Sequence, residues 1–168
     1  MVTDLAEIRR RSKEMRAENL EFRRRLKARH YPEGPFRILA REVEKQVDCT
    51  ACANCCRQYH VSLSGGEVEA LAEFLEVPVP QFREQYTRQD PDDSRVAIIR
   101  HANGECVFLD GNMCMVYDAR PSPCREYPYL SSKVRSVGNR MPSLFRRAFC
   151  CPIAFNVVER YKHLLGGR

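Results

Sequence analysis

Apolar residues in the first thirty positions recur at alternating steps of three and four. Leu5, Ile8, Met15, Phe22 and Leu26 carry the rhythm, and Ser12 and Asn19 stand at two positions where an apolar residue would fit. The spacing predicts one long helix over residues 3–29 with a heptad-like seam and two polar interruptions. Such a seam suits either a second helix from another chain or the surface of the chain's own domain. The stretch HYPEGP at 30–35 then breaks the helix with two prolines and a glycine. A second helix is predicted over 36–47, with Phe36, Leu39, Ala40, Val43 and Val47 on one face, and it leads directly to Cys49.

Further along, Ser64-Gly-Gly-Glu67 has the form of a capping box. Val68, Leu71, Ala72 and Leu75 follow as an apolar stripe that Pro78 and Pro80 end, and a short helix is predicted over 81–88 with Phe82 and Tyr86 as core. Residues 90–94, DPDDS, read as a turn. Three strands are expected after it, at 95–100, 106–109 and 113–117, with a hairpin turn at 110–112. The longest uncharged run lies within 148–165 and predicts a C-terminal helix. The fold class expected is therefore α-rich α+β: a long N-terminal helix, a small antiparallel hairpin or meander, and helices packed around one or more cysteine-ligated metal centres. Residues 1–30 form a basic helical segment and residues 36–168 a cysteine-cluster domain.

Composition changes this picture mainly through charge and sulfur. The chain has 168 residues and a net charge of +6, but residues 1–30 hold ten Lys or Arg against five Asp or Glu. A second basic stretch, 133–147, has no acid between Glu126 and Glu159. Neither stretch interleaves aromatics with its cations, so both read as solvated faces, not as a nucleic-acid platform. The N-terminus lacks the apolar core of a signal peptide, and no stretch approaches the length of a membrane span. A reducing cytoplasm is the expected setting, and there clustered cysteines bind metal more often than they form disulfides.

Nine cysteines are present, four of them in the eight residues CTACANCC at 49–56. Cys49, Cys52 and Cys55 form overlapping C-x2-C pairs, a spacing that turns two thiolates toward one ion. Cys56 is adjacent to Cys55, and neighbouring side chains diverge, so the vicinal pair implies two sites or one site plus a buried thiol. Cys106 and Cys114 bracket the expected hairpin, whose opposed strands would bring them together as in a zinc knuckle. Cys124 lies in the stiff segment RPSPCR, and Cys150-Cys151-Pro152 follows. The C-x2-C-x2-C run and the late Cys-Pro resemble elements of iron–sulfur ligation and tilt the reading from zinc toward an iron–sulfur cluster. A thiolate-bound centre carries net negative charge, for which Arg57, Arg120 and Arg125 are candidate donors. His60 is a weaker ligand candidate where thiols are so many.

CTACANCC, the segment CVFLDGNMCMVYDARPSPCREYP at 106–128 and the late Cys-Pro together resemble the cysteine-cluster proteins called CxxCxxCC, or YkgJ-like, a zinc- or iron-chelating family. The resemblance spans about residues 49–152. It implies eight metal ligands: Cys49, Cys52, Cys55, Cys56, Cys106, Cys114, Cys124 and Cys151, with Cys150 as the extra. One departure is that Ala53-Asn54 replaces a glycine common before the third cysteine, in a tight turn. The resemblance extends to ferredoxin-like and iron–sulfur oxidoreductase proteins and to a domain of flagellin lysine N-methylases. It leaves two alternatives to simple metal binding: a redox or methylase-related enzyme, and an adaptor that binds a protein partner, or a second copy, through the N-terminal helix. No glycine-rich cofactor loop and no catalytic constellation stands out.

Overall fold

The computed structural model describes residues 1–29, 31, 33–89, 96–99, 101–130 and 136–166. Residues 1–48 and 128–168 make one compact unit, and residues 49–127 make another. The helices near the N-terminus, expected as a separate segment, thus fall in one unit with those near the C-terminus.

The first unit is helical. It contains α1 (Leu5–Glu14), α2 (Arg16–Ala28), α3 (Glu33–Glu44), α8 (Val137–Ala148) and α9 (Pro152–Leu164). The single helix expected over 3–29 is divided at Met15, although helical hydrogen bonds pass through it, from Met15 N to Arg11 O and from Asn19 N to Met15 O. No proline or glycine marks this break in the sequence. The seam faces inward: Ile8, Phe22 and Leu26 are buried, and Phe22 meets Tyr161 of α9 edge-on at 6.1 Å. The polar interruption at Asn19 has a partner. Its Oδ1 accepts from the Lys162 ammonium at 3.0 Å, and that buried ammonium also pairs with Glu18 and Glu159. A buried cation is tolerated only when paired in this way.

Of the breaker expected at 30–35, residues 33–35 form the start of a helix, and 30 and 32 lie outside the described residues. Helix α3 begins at Glu33, because proline fits the first turn, where its missing N–H has no intrahelical role. Glu33 accepts from Val137 N at 2.6 Å and from the buried Arg140 at 2.9 Å, so it caps α8. Arg140 also donates to Leu130 O at 2.8 Å. Helix α8 was not expected: part of the basic stretch 133–147 folds as a helix with Met141 and Leu144 fully buried. Its many arginines masked an apolar face. Close approach explains Gly138, since an added Cβ would stand 3.1 Å from Leu26 O. The C-terminal helix is shorter than expected, with Pro152 as its first residue.

The second unit holds α4 (Asn54–Gln58), β1 (Ser62–Leu63), α5 (Gly65–Phe74), α6 (Val79–Tyr86), β2 (Thr87–Gln89), β3 (Val96–Ile98), β4 (Leu109–Asp110), β5 (Met113–Cys114) and α7 (Ser122–Arg125). The expected meander is not one sheet. β3 pairs antiparallel with β1 and β2 in the order β1-β3-β2, while β4 and β5 form a separate hairpin. The signal for β1 and β2 is only two or three residues long, too short for a periodicity to show. The turn expected at 90–94 lies outside the described residues. The capping box is present: Ser64 N and Oγ both donate to Glu67 at 2.8 Å. Leu63, Val68, Leu71, Phe82, Ile98, Phe108 and Val116 form the core, and Cys106 and Cys114 pack against it.

Candidate metal centre

The opening cysteines sit on a tight turn. Cys49 O accepts from Cys52 N at 3.1 Å and from Ala53 N at 2.9 Å. Ala53 takes the left-handed conformation, φ 46°, and is buried where α4 begins. This is where a glycine would relieve strain. A left-handed residue bearing a Cβ costs about 1–2 kcal/mol. Ala53→Gly is therefore expected to leave the melting temperature unchanged or raise it, whereas Ala53→Val, β-branched, should lower it in a thermal melt. On α4 the Cys55 and Cys56 sulfurs lie 4.0 Å apart, so the vicinal pair diverges less than the sequence suggested.

Three further segments are brought to this turn. Cys106 N donates to Cys56 O at 2.9 Å. In the hairpin Cys114 lies opposite Leu109, and the two-residue loop Gly111-Asn112 puts Gly111 at φ 57°, as primed turns require. Arg57 then clamps turn and hairpin. Its Nε bonds Glu105 Oε1 at 2.8 Å, Nη1 bonds Cys52 O at 3.1 Å, and Nη2 bonds Gly111 O at 2.6 Å and Asn112 Oδ1 at 2.8 Å. Asn112 Nδ2 adds a bond to Ala51 O at 3.2 Å. The guanidinium is thus directed to the backbone that carries the cysteines. Glu105 and Asn112 were missed from sequence, although each stands within two residues of a cysteine. Arg57→Ala should cost roughly 2–3 kcal/mol, the scale of one or two charge-assisted bonds, and Arg57→Lys should not restore it because an ammonium lacks the planar fork. A denaturant titration of the two variants checks this.

Cys124 lies on α7, whose first turn is fixed by Pro121 and Pro123, and its N–H donates to Pro121 O at 2.9 Å. Glu67 joins this helix to the α5 cap by accepting from Ser122 N at 2.9 Å. Burial opposes ionisation of Glu67, but the bonds from Ser64 and Ser122 outweigh it and hold the carboxyl below its usual range. The Cys124 thiol is pushed up to about 12, first by burial and then by Cys56, Cys106 and Cys114, while Arg120 acts in the opposite sense. Burial likewise raises Cys114, with Cys56 adding to it. Cys124 thus feels the charge of Cys56, Cys106 and Cys114, and Cys114 that of Cys56.

The remaining candidates are placed as follows. Cys49 is exposed and Cys52 half-buried. Arg120 stacks on Tyr117, 3.4 Å from the ring centroid, and donates to Tyr117 O at 2.8 Å. Arg125 is exposed and bonds Arg120 O at 2.5 Å. His60 faces Arg88 at 3.3 Å. Cys150 and Cys151 belong to the helical unit and are buried there. The Cys150 sulfur lies 3.5 Å from Arg147 O. Among the described residues, no three His, Cys, Asp or Glu side chains already stand at the mutual distances a bound ion imposes.

The donor chemistry nonetheless suits a metal. Clustered, half-buried thiols such as Cys114 and Cys124 resist ionisation alone, and a cation replacing their protons removes that penalty. A family model described as "Putative zinc- or iron-chelating domain", CxxCxxCC, matches residues 48–151. The chain belongs to the CxxCxxCC family. The matched span opens one residue before Cys49 and closes on Cys151, so it takes in all nine cysteines of this CxxCxxCC protein. No solved structure matches the chain at a significant level. Among the described residues, no helix is long and apolar enough to cross a membrane.

Proposed function

We propose that this CxxCxxCC protein holds a thiolate-ligated metal centre in which Cys56, Cys106, Cys114 and Cys124 are the core ligands, with Cys49, Cys52 and Cys55 of the same unit available to complete or extend it. The carrying observation is that one unit gathers these four thiols from different segments, with Cys106 N bonded to Cys56 O at 2.9 Å and the charges of Cys56, Cys106 and Cys114 opposing ionisation of Cys124. A structural tetrathiolate site takes four sulfurs, and binding an ion would draw these four in to ligating distance. Arg57 positions two of the segments, and the charge of Arg120 favours the thiolates of Cys114 and Cys124. An iron–sulfur cluster is favoured over zinc by the C-x2-C-x2-C run, by the Cys-Pro, and by a supply of thiols in one unit beyond the four a single zinc uses. When bound, such a cluster supplies one-electron chemistry, whereas zinc supplies cross-linking of the fold or Lewis acidity.

Protein purified without oxygen tests the reading by metal analysis and visible absorption. Iron with acid-labile sulfide and a brown colour is the expected result. Colourless protein with stoichiometric zinc would keep the site and overturn the choice of metal. Protein that takes up neither metal would sink the proposal.

A further inference from the structure

One residue on from each seam position after Leu5, a second stripe runs along α1 and α2: Arg9, Lys13, Arg16, Leu20, Arg23 and Lys27. Its steps of four and three keep it on a single face over about 27 Å of helix. Five of the six positions are cationic. The ion pairs on these helices fall instead to Arg10, Arg11 and Arg24, and among the described residues the five stripe cations have none. Leu20 is 49% exposed. A hollow of about 280 Å³ is lined by Leu20, Arg23, Arg24 and Lys27. Those residues stand at i, i+3, i+4 and i+7, the four positions that form the hole for a knob of a facing helix. The Arg23 Nε–H at its wall is shielded from solvent and donates to nothing among the described residues.

We propose that this stripe docks an acidic helix of another protein, with an apolar side chain of that helix seated in the Leu20 hole and its carboxylates facing the flanking Arg and Lys. Charge complementarity sets the sign of the partner, and the four-residue hole sets its secondary structure. A second copy of the chain would lay cations on cations, which is repulsive. A membrane surface would need a wide apolar face, and the apolar seam of these helices is already buried in the helical unit. Nucleic acid would satisfy the cations but leave the hole unfilled, and the stripe offers no aromatic for base stacking. The proposal does not depend on the metal reading.

The test uses the full chain, loaded as purified, with a labelled designed peptide of about three heptads carrying Leu at a and d and Glu at e and g. Fluorescence anisotropy reads binding. Controls are the same peptide with Gln for Glu, a poly-glutamate of equal length and a short DNA duplex. The Glu peptide should bind, with affinity falling as salt rises. The Gln peptide and poly-glutamate should each bind about tenfold more weakly or worse. R23E/K27E should abolish binding, and Leu20→Ala, which empties the hole without changing charge, should weaken it while poly-glutamate affinity changes little. Because these residues lie on the surface, circular dichroism melts of the variants should match the wild type, and R23A/K27A replaces any variant that does not. Equal binding of the Glu and Gln peptides would overturn the proposal. So would binding of the duplex more tightly than the peptide with loss in the same variants, which would assign the stripe to nucleic acid.

Discussion

Cys124→Ser is expected to remove most of the bound metal and to lower the melting temperature by about 6–12 °C. That drop corresponds to roughly 3 kcal/mol at a chain of this size. Burial pushes the Cys124 thiol up to about 12, and its position is over-determined. Prolines fix its helix, Glu67 ties that helix to the α5 cap, and the charges of three other thiols act on it. The smaller hydroxyl keeps the shape but is a poor metal ligand. The same substitution in metal-stripped protein should cost little, and that difference separates ligation from packing. Equal losses with and without metal would leave Cys124 as core. Cys150→Ser should change neither metal content nor melting temperature. A pH series adds a sign. Without metal, a folded value near 12 against the ordinary 9.0 favours the neutral thiol. The metal-free fold is then fully stabilised below about pH 9 and weakens as pH climbs toward 12. With metal bound the ligands are thiolates, so the added stability should instead be lost on acidification.

The parts of this fold that were legible share one property: their signal is local and repeated. The seam of α1 and α2, the face of α3 and the Ser64–Glu67 cap could each be read from a few residues at fixed offsets. What stayed hidden depends on distant partners. Helix α8 escaped because its arginines looked like a solvated stretch, yet Arg140 is neutralised by Glu33, more than a hundred residues away. The β1-β3-β2 sheet escaped because each strand is too short to show alternation. At the candidate site the cysteines announced themselves, but the role of Arg57 did not. Proximity to Cys56 suggested that it faces the sulfurs, whereas its donors hold the two loops that present them. That Cys56, Cys106, Cys114 and Cys124 fall in one unit could not be read from spacing alone, since it rests on the Cys56–Cys106 backbone bond and on the tie of α7 to the α5 cap through Glu67.

The seam supplies the other large effect. Phe22 is 2% exposed, meets Tyr161 edge-on and lies under the Arg25 guanidinium at 5.7 Å. Phe22→Asp removes an aromatic from a packed core, a loss of about 3–5 kcal/mol, and adds the cost of a buried carboxylate. Against a total stability of about 5–15 kcal/mol, that suffices to unfold the helical unit. The expected result is loss of helical circular dichroism and of a cooperative melt. Phe22→Leu, which keeps apolar volume, should cost less than about 1.5 kcal/mol. Leu20→Asp, two residues away on the exposed stripe, should leave the melt unchanged. Sedimentation gives the contrary case a definite form. If the wild type is a dimer and Phe22→Asp yields a folded monomer with a normal melt, the seam joins two chains in solution. The neutral result at Leu20 and the severe one at Phe22 would instead mark the two faces of the same helix, one closed on the core and one open to solvent.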